Sequence, residues 1–237
     1  MLLVKGQKVK ISDLTSSSVL GINITLKLTG PGHIRHVCVG LDPNRLLGDK
    51  RFFIYDQAPN SPAGAVRLLG PGLGETADYQ VSLGALPGSV PRLVFASAIY
   101  GPGAFNQLAY GHLRLSQGGQ ELARLVVTGH DFTYEKSLIL GQLYLHQGVW
   151  RLSADVQGFV TGAEGLLEHL GAAEVLSAIA PKPPERLIIV IPAVEGDFDD
   201  AEELEEILDF EDDAWPEEDQ AHGEDPVPAP AKPRIIH

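Results

Sequence analysis

Two histidines three residues apart, His33 and His36, are the first side chains along the chain whose types suit metal binding. Residues three apart on a strand point to opposite faces, so these two rings cannot chelate one ion from a single face. Both are predicted to be ordinary surface or rim histidines. Asp42, Asp49 and Asp56 are predicted to have turn and solvent roles, with a relocated metal site as the alternative.

Nucleophilic and redox chemistry have little support in the sequence. His130, Asp131 and Ser137 lie close together, but no Gly-x-Ser-x-Gly elbow accompanies them. The single cysteine, Cys38, has no second thiol for a disulfide and is a poor reductant without one. The glycine-rich stretch 70–74 lacks the lysine and the helix of a phosphate loop. No paired carboxylates mark acid–base catalysis, so the sequence predicts a protein that is not an enzyme.

Charge is distributed unevenly between the two ends of the chain. The 237 residues carry a formal net charge of −13. Residues 195–237 hold 17 acids and two bases, a net charge of −15, whereas residues 1–194 hold 14 acids and 16 bases, a net charge of +2. Such a segment, dense in like charge and ending in alternating prolines, is predicted to be largely disordered. It would compete with phosphate, which disfavours nucleic-acid binding.

Short alternating stretches dominate the first 160 residues. Ile22, Ile24, Leu26 and Leu28 alternate with polar residues, which is typical of a half-buried strand. Gly118-Gly119 and Gln147-Gly148 are predicted to turn two hairpins, because glycine accepts positive φ. Many short strands with glycine and proline punctuation predict an all-β sandwich.

The chain after residue 162 has a different pattern. Helices are predicted over 163–169, with Gly171 as the stop, and over 172–180, before Pro181. The apolar run 187–191 predicts a buried strand, either laid on an edge of the same molecule or exchanged with another copy in a homo-oligomer. No run of apolar residues approaches the roughly 20 needed to span a bilayer. The first residues lack the apolar core of a signal peptide. We therefore expect a cytoplasmic protein with no direct membrane insertion.

One set of blocks follows the order of a known domain: residues 3–9, 52–66, 83–99, 119–124, 141–144, 148–151 and 162–167, with Gly171. Together these blocks resemble a TerD domain, the domain of bacterial tellurium-resistance and general stress proteins. The resemblance implies an all-β, TerD-like β-sandwich of two antiparallel sheets, with one or two short helices near the C-terminal end of the domain. We accordingly divide the chain into a domain at 1–173, an extension with a short helix and an apolar strand at 174–194, and an acidic, Pro-rich tail at 195–237.

The resemblance also implies a calcium site built from two blocks of clustered acids. Where the family has an Asp-Leu-Asp run, this chain has His33-Ile34-Arg35, and the second block is a shortened loop whose acids are Glu75 and Asp78. Calcium takes six to eight oxygen ligands, and an arginine would repel it. We therefore expect no cofactor, with calcium at a relocated site as the alternative. The candidate ligands for that alternative are Asp42, Glu75 and Asp78.

The tail carries an apolar series at roughly helical spacing, which suits a short acidic helix that folds on a partner. Its partner-binding candidates are Leu204, Ile207, Leu208, Phe210 and Trp215. Four arginines of the body are candidates for docking the tail, in the same or another copy: Arg35, Arg45, Arg51 and Arg67. The sequence thus predicts a non-enzymatic, TerD-like stress-response protein that acts as a protein-interaction module, with other stress-complex proteins or its own tail as partners.

Overall fold

Two β-sheets face each other across an apolar core. The computed structural model describes residues 1–179 and the short strand Arg234–Ile235, and these residues belong to one compact unit. The strands are β1 (Leu2–Leu3), β2 (Lys8–Lys10), β3 (Val19–Leu28), β4 (His33–Leu41), β5 (Phe53–Ile54), β6 (Val66–Leu68), β7 (Thr76–Ser82), β8 (Arg92–Tyr100), β9 (Leu108–Gln117), β10 (Gln120–Val127), β11 (Ser137–His146), β12 (Val149–Ser153), β13 (Gln157–Phe159) and β14 (Arg234–Ile235). The α-helices are α1 (Ala163–His169) and α2 (Leu176–Ile179).

Sheet A has the order β1-β10-β9-β3-β7-β6. Sheet B has the order β14-β13-β11-β8-β4-β5, and β12 pairs with both β11 and β2 beside that path. The predicted all-β architecture of two sheets with short helices near the end of the domain is confirmed. Neighbouring strands are antiparallel except for β1, which runs parallel to β10 at Leu2 and Leu3. The sequence analysis did not predict this parallel pair.

Sheet A shows the alternation of buried and exposed residues that is expected of a sheet with one face in solvent. In β3, Leu20, Ile22, Ile24 and Leu26 are buried, and the intervening residues are partly exposed. These side chains meet Phe95 and others from sheet B in the main core between the sheets. The predicted half-buried strand at 22–28 is therefore confirmed. Both predicted hairpins are confirmed as β9–β10 and β11–β12.

Sheet B is buried on both faces through its centre. After the exposed His33, every residue of β4 is buried, as are the seven interior residues of β8. The outer face of these strands packs against Leu166, Leu167 and Leu170 of the α1 region and against Ile179 of α2. Two-sided burial explains why these strands lack the alternation seen in β3.

The predicted helices are confirmed with small differences. α1 spans Ala163–His169, and Gly171 follows with a φ of +64°. The second predicted helix is a 3-10 turn, Ala173–Val175, continued by α2. No helix among the described residues is long and apolar enough to cross a membrane. The predicted strand at 187–191 and the 195–237 tail, apart from β14, lie outside the described residues.

Candidate functional site

The first residues of β4 lie beside the loop formed by residues 70–75. The Ile34 carbonyl accepts from the Gly74 N–H at 2.8 Å, and the His36 N–H donates to the Gly72 carbonyl at 2.9 Å. Gly72 has a φ of +65°, and a Cβ there would lie 2.7 Å from the Leu68 side chain. This position needs glycine. The two blocks that the family resemblance aligned with a calcium site are thus neighbours in space.

Arg35 is the centre of this region, which we call the Arg35 cluster (Arg35, Asp56, Tyr100 and the Ile179 carbonyl). The Arg35 side chain is 9% exposed, and its Nε lies 3.1 Å from Asp56 Oδ1. The guanidinium also donates to the Ile179 carbonyl at the end of α2. Its Cζ lies 5.7 Å from the centre of the Tyr100 ring, within range of a cation–π contact. One buried cation therefore links β4, the segment after β5, β8 and α2.

Calcium does not fit this cluster. The Arg35 guanidinium already places a permanent positive charge in this region, and the Asp56 carboxylate is paired with it. Calcium would need several further oxygen ligands and would meet repulsion from Arg35. No group of three or more His, Cys, Asp or Glu side chains within 1–179 and 234–235 is arranged to hold a metal.

The candidate calcium ligands are spread over different elements. Asp42 follows β4 and is used locally, because its Oδ1 accepts from the N–H groups of Asn44 and Leu46 at 2.8 and 3.0 Å. Asp78 projects from the wet face of sheet A, where Oδ1 accepts from the Asn23 amide at 2.9 Å. Glu75 is exposed just before β7. The structure does not bring these three carboxylates into one group.

His36 corrects the prediction made for the two histidines. His33 is exposed as predicted, but His36 is fully buried. Its Nδ1 lies 2.8 Å from Ser97 Oγ and its Nε2 lies 3.0 Å from the Gly74 carbonyl. Burial lowers the pKa of His36 to about 4, although the bond to the Gly74 carbonyl partly opposes this. The ring is a neutral strut between β4, β8 and the loop, not a rim histidine.

The other arginines proposed for tail docking have separate positions. Arg51 is exposed and pairs with Asp49 at 2.8 Å, and that pair raises the pKa of Arg51 and lowers the pKa of Asp49. Arg45 and Arg67 are exposed, on the loop after β4 and on β6. Arg35 is buried and paired, so it offers no charge at the surface. The tail residues proposed to meet a partner (204, 207, 208, 210 and 215) lie outside the described residues.

The residues considered for catalysis have structural roles. Asp131 accepts from the Thr128 N–H at 2.7 Å and pairs with Lys5 at 2.5 Å, so it caps a turn and ties it to the N-terminal segment. Ser137 Oγ donates to the Gly162 carbonyl at 2.7 Å. Cys38 is fully buried, and burial raises the pKa of its thiol well above the usual value. None of these groups has the access or activation of a nucleophile.

The pairing of Arg35 with Asp56 corrects the prediction of a turn or solvent role for Asp56. One signal was available: Arg35 interrupts a strand in which every residue from 34 to 41 is buried. Arginine is almost never buried without a partner, so a nearby acid was required. The sequence did not identify that acid, because Asp42, Asp49 and Asp56 follow at similar intervals.

Fold and site together define a class: a two-sheet β-protein with a helical cover on one sheet and a cluster held by a buried arginine. The TerD domain model matches residues 1–170, and the chain belongs to the TerD family. It is 28% identical over 190 residues to general stress protein 16U of Bacillus subtilis (strain 168), covering 71% of this chain and 96% of that one.

Other relatives carry resistance names. The chain is 28% identical over 134 residues to chemical-damaging agent resistance protein B of Clostridium acetobutylicum, covering 52% of this chain and 95% of the relative. It is 26% identical over 137 residues to tellurium resistance protein TerD of Serratia marcescens, covering 54% and 71%. A solved homologue of telluride resistance protein (TerD) from Streptomyces coelicolor A3(2) superimposes with a TM-score of 0.48 at 16% identity, covering 69% of this chain and 99% of that one.

Proposed function

We propose that this TerD-family chain is a non-enzymatic stress-response protein of the tellurium-resistance type that acts as a protein-interaction module. Family membership supports the stress-response part, since the relatives are named for general stress, chemical damage and tellurium resistance. The structural roles of Cys38, Asp131 and Ser137 support the non-enzymatic part. The acidic tail with its apolar series supports a protein partner.

The Arg35 cluster is the observation that carries the proposal. In a metal-controlled module, an exchangeable ion would set the geometry of the loop at 70–75. Here that loop is held by backbone bonds to Ile34 and His36, beside a fixed guanidinium–carboxylate pair. The domain therefore acts as a constant platform, and the binding segment it presents is the acidic tail.

The test replaces the five apolar tail residues with serine in the full chain: Leu204, Ile207, Leu208, Phe210 and Trp215. A matched control changes five tail acids to the corresponding amides: Glu202, Glu203, Glu205, Glu206 and Asp209. Each form is returned to a strain lacking the gene, and survival is scored in tellurite and in an oxidant, with in-cell crosslinking from residue 214, which neither variant changes. We expect the serine variant to lose both protection and the crosslinked protein, and the amide variant to keep part of each. Full protection by the serine variant would contradict the partner-binding role.

Calcium at a relocated site is the competing function. The separate positions of Asp42, Glu75 and Asp78 give it less support. Calorimetric titration of metal-free full-length protein with calcium decides between the two. The tail-amide variant is run in parallel, because an acidic tail binds cations weakly by itself. Saturable heat that survives in the amide variant, with a raised melting temperature, would favour the calcium module.

A further inference from the structure

A pocket on the outer face of sheet B, at the end remote from Arg35, collects basic side chains. Its volume is about 290 Å³. Leu41, Val94 and Ile139 form an apolar floor, and the end of α1 makes one wall. The polar part of the wall includes Lys8 of β2, Arg45 of the loop after β4 and Arg92 of β8, with Gln142 of β11, Asp155 between β12 and β13, and His169 of α1.

Among the described residues around this pocket, positive charges outnumber negative ones. Lys8, Arg45 and Arg92 contribute three positive charges, and Asp155 contributes one negative charge. Among the described residues, none of the three bases forms an ion pair of the kind that holds Arg35. Partial burial is the main cause that lowers the pKa of Arg92, and the nearby Arg45 lowers it further. His169 adds no charge at neutral pH, because burial lowers its pKa.

Arg92 is held in place by its neighbours. It donates to Gln142 Oε1, and its Cζ lies 5.1 Å from the centre of the Tyr144 ring. Gln142 in turn donates to Asp155 Oδ2 at 3.0 Å, and Ser153 Oγ donates to the same oxygen at 2.6 Å. A guanidinium has five N–H donors, so this network fixes its plane and leaves donors for a ligand. Preorganised donors of this kind favour an oxyanion.

Arg45 reaches the pocket from a loop with an uncommon backbone conformation. Its φ is +67°, which costs free energy for a residue with a Cβ. Asp42 imposes this conformation by accepting the Arg45 N–H at 3.0 Å on its carbonyl and the Leu46 N–H on its carboxylate. The Leu47 N–H donates to the Leu170 carbonyl at 2.8 Å, which ties the loop to the end of α1. The loop therefore positions the Arg45 side chain at the rim.

We propose that this pocket, the Arg45–Arg92 pocket, binds a small phosphate monoester with an apolar body. A phosphomonoester carries about −1.5 to −2 charges at neutral pH, which matches the net positive charge of the pocket. The two arginine forks suit phosphate oxygens, and Lys8 adds a point charge at the rim. The floor of Leu41, Val94 and Ile139 suits the apolar body. The proposal does not rest on the protein-interaction role, because the three bases of the pocket belong neither to the tail nor to the Arg35 cluster.

The experiment titrates the full chain with inorganic phosphate, phenyl phosphate and phenol, followed by calorimetry and by the backbone NMR shifts of Arg45, Asp155 and Gln157. We expect phenyl phosphate to bind more tightly than inorganic phosphate and phenol to show no saturable binding. R45Q and R92Q should each weaken phenyl phosphate by about tenfold or more. Arg67→Gln is the matched control, because it removes an arginine charge from sheet A, outside the pocket, and should leave Kd within about twofold.

Three results would overturn the proposal. These are no saturable binding up to about 10 mM of either phosphate, equal weakening by R67Q, and binding that R45Q and R92Q leave unchanged. If R92Q fails to fold, R45Q and Lys8→Gln carry the test, because both side chains are exposed. Failure here would leave the tail-dependent function untouched, since that function is measured by survival and crosslinking.

Discussion

Arg35 and Arg92 lie at opposite ends of the same antiparallel strand pair, β4–β8, on the same outer face of sheet B. Arg35 is buried beside Asp56 and holds the end of α2, whereas Arg92 is half-buried, lies close to another arginine and faces a pocket. The helices α1 and α2 cover the apolar face between them. An arginine's partner, more than its position on the strand, therefore decides whether it holds the fold together or remains available to a ligand.

The largest expected effect comes from removing the buried cation. Arg35→Met leaves Asp56 as an unpaired carboxylate in a site where its side chain is 15% exposed. We expect a loss of about 4 kcal/mol in the free energy of unfolding, because breaking a buried pair from one side strands the other charge. Urea unfolding at neutral pH measures it. The double variant R35M/D56L should recover much of the loss, and a double variant as unstable as R35M would contradict the ion-pair explanation.

The next effect depends on pH and tests whether His36, the residue after Arg35, is buried as a neutral ring. The pKa of His36 is about 4 in the folded protein and its ordinary value is 6.5. Above pH 6.5 the ring is neutral in both states, so its contribution to stability is fully present. As pH falls from 6.5 to 4, the unfolded chain takes up a proton that the folded chain refuses, and stability falls by about 3 kcal/mol.

Urea unfolding at several pH values across that window measures the slope for wild type and His36→Gln. The glutamine variant should be less stable at neutral pH, because it fits the Ser97 and Gly74 contacts less well, but it should lose the His36 part of the slope. An unchanged slope would mean that other groups cause it.

A smaller effect is expected in the Arg45–Arg92 pocket, where Asp155 is the one acid among the lining residues that the structure describes. Asp155→Asn removes a negative charge close to the ligand position. Phenyl phosphate should bind about threefold more tightly, as expected of one charge at the edge of a partly hydrated site. Calorimetric titration against wild type measures the change. Weaker binding would show that Asp155 positions Gln142 and Arg92 more than it opposes the anion.

The smallest effect is expected at Arg51, whose pair with Asp49 is exposed to solvent. Arg51→Gln should leave the urea midpoint unchanged within error, because exposed pairs are screened by water and salt. The variant removes an arginine from an exposed ion pair, whereas R35M removes one from a buried pair, so it should show the smallest loss of stability. A destabilisation approaching that of R35M would mean that burial is not what makes the Arg35 pair matter.

Sequence reasoning was strongest where the pattern is local. The alternation in β3 and the glycine turns of β9–β10 and β11–β12 were predicted because period-two burial and positive φ leave direct marks in the sequence. The helical cover of sheet B was not predicted, although the unbroken burial in β4 is typical of a sheet covered on both faces.

The sites depended on contacts between distant residues. Arg35 and Asp56 are 21 positions apart, and three acids at similar spacing were all plausible partners. The charged residues of the Arg45–Arg92 pocket come from separate elements, so no single stretch of the sequence indicates the pocket. His36 is buried because the loop at 70–75 packs against it. This is a contact between distant parts of the chain, and the periodicity of a strand does not predict such contacts.

The bond from Arg35 to the end of α2 also determines how the domain would bear a load. A pull on the chain beyond Ile179 would reach Arg35 and enter sheet B through β4. That strand is paired with β8 along nine consecutive residue pairs, from His33–Tyr100 to Leu41–Arg92. A force along the strand would have to shear those pairs together. The arginine thus makes Ile179 a mechanical anchor, and a force applied there would be resisted by the paired strands β4 and β8.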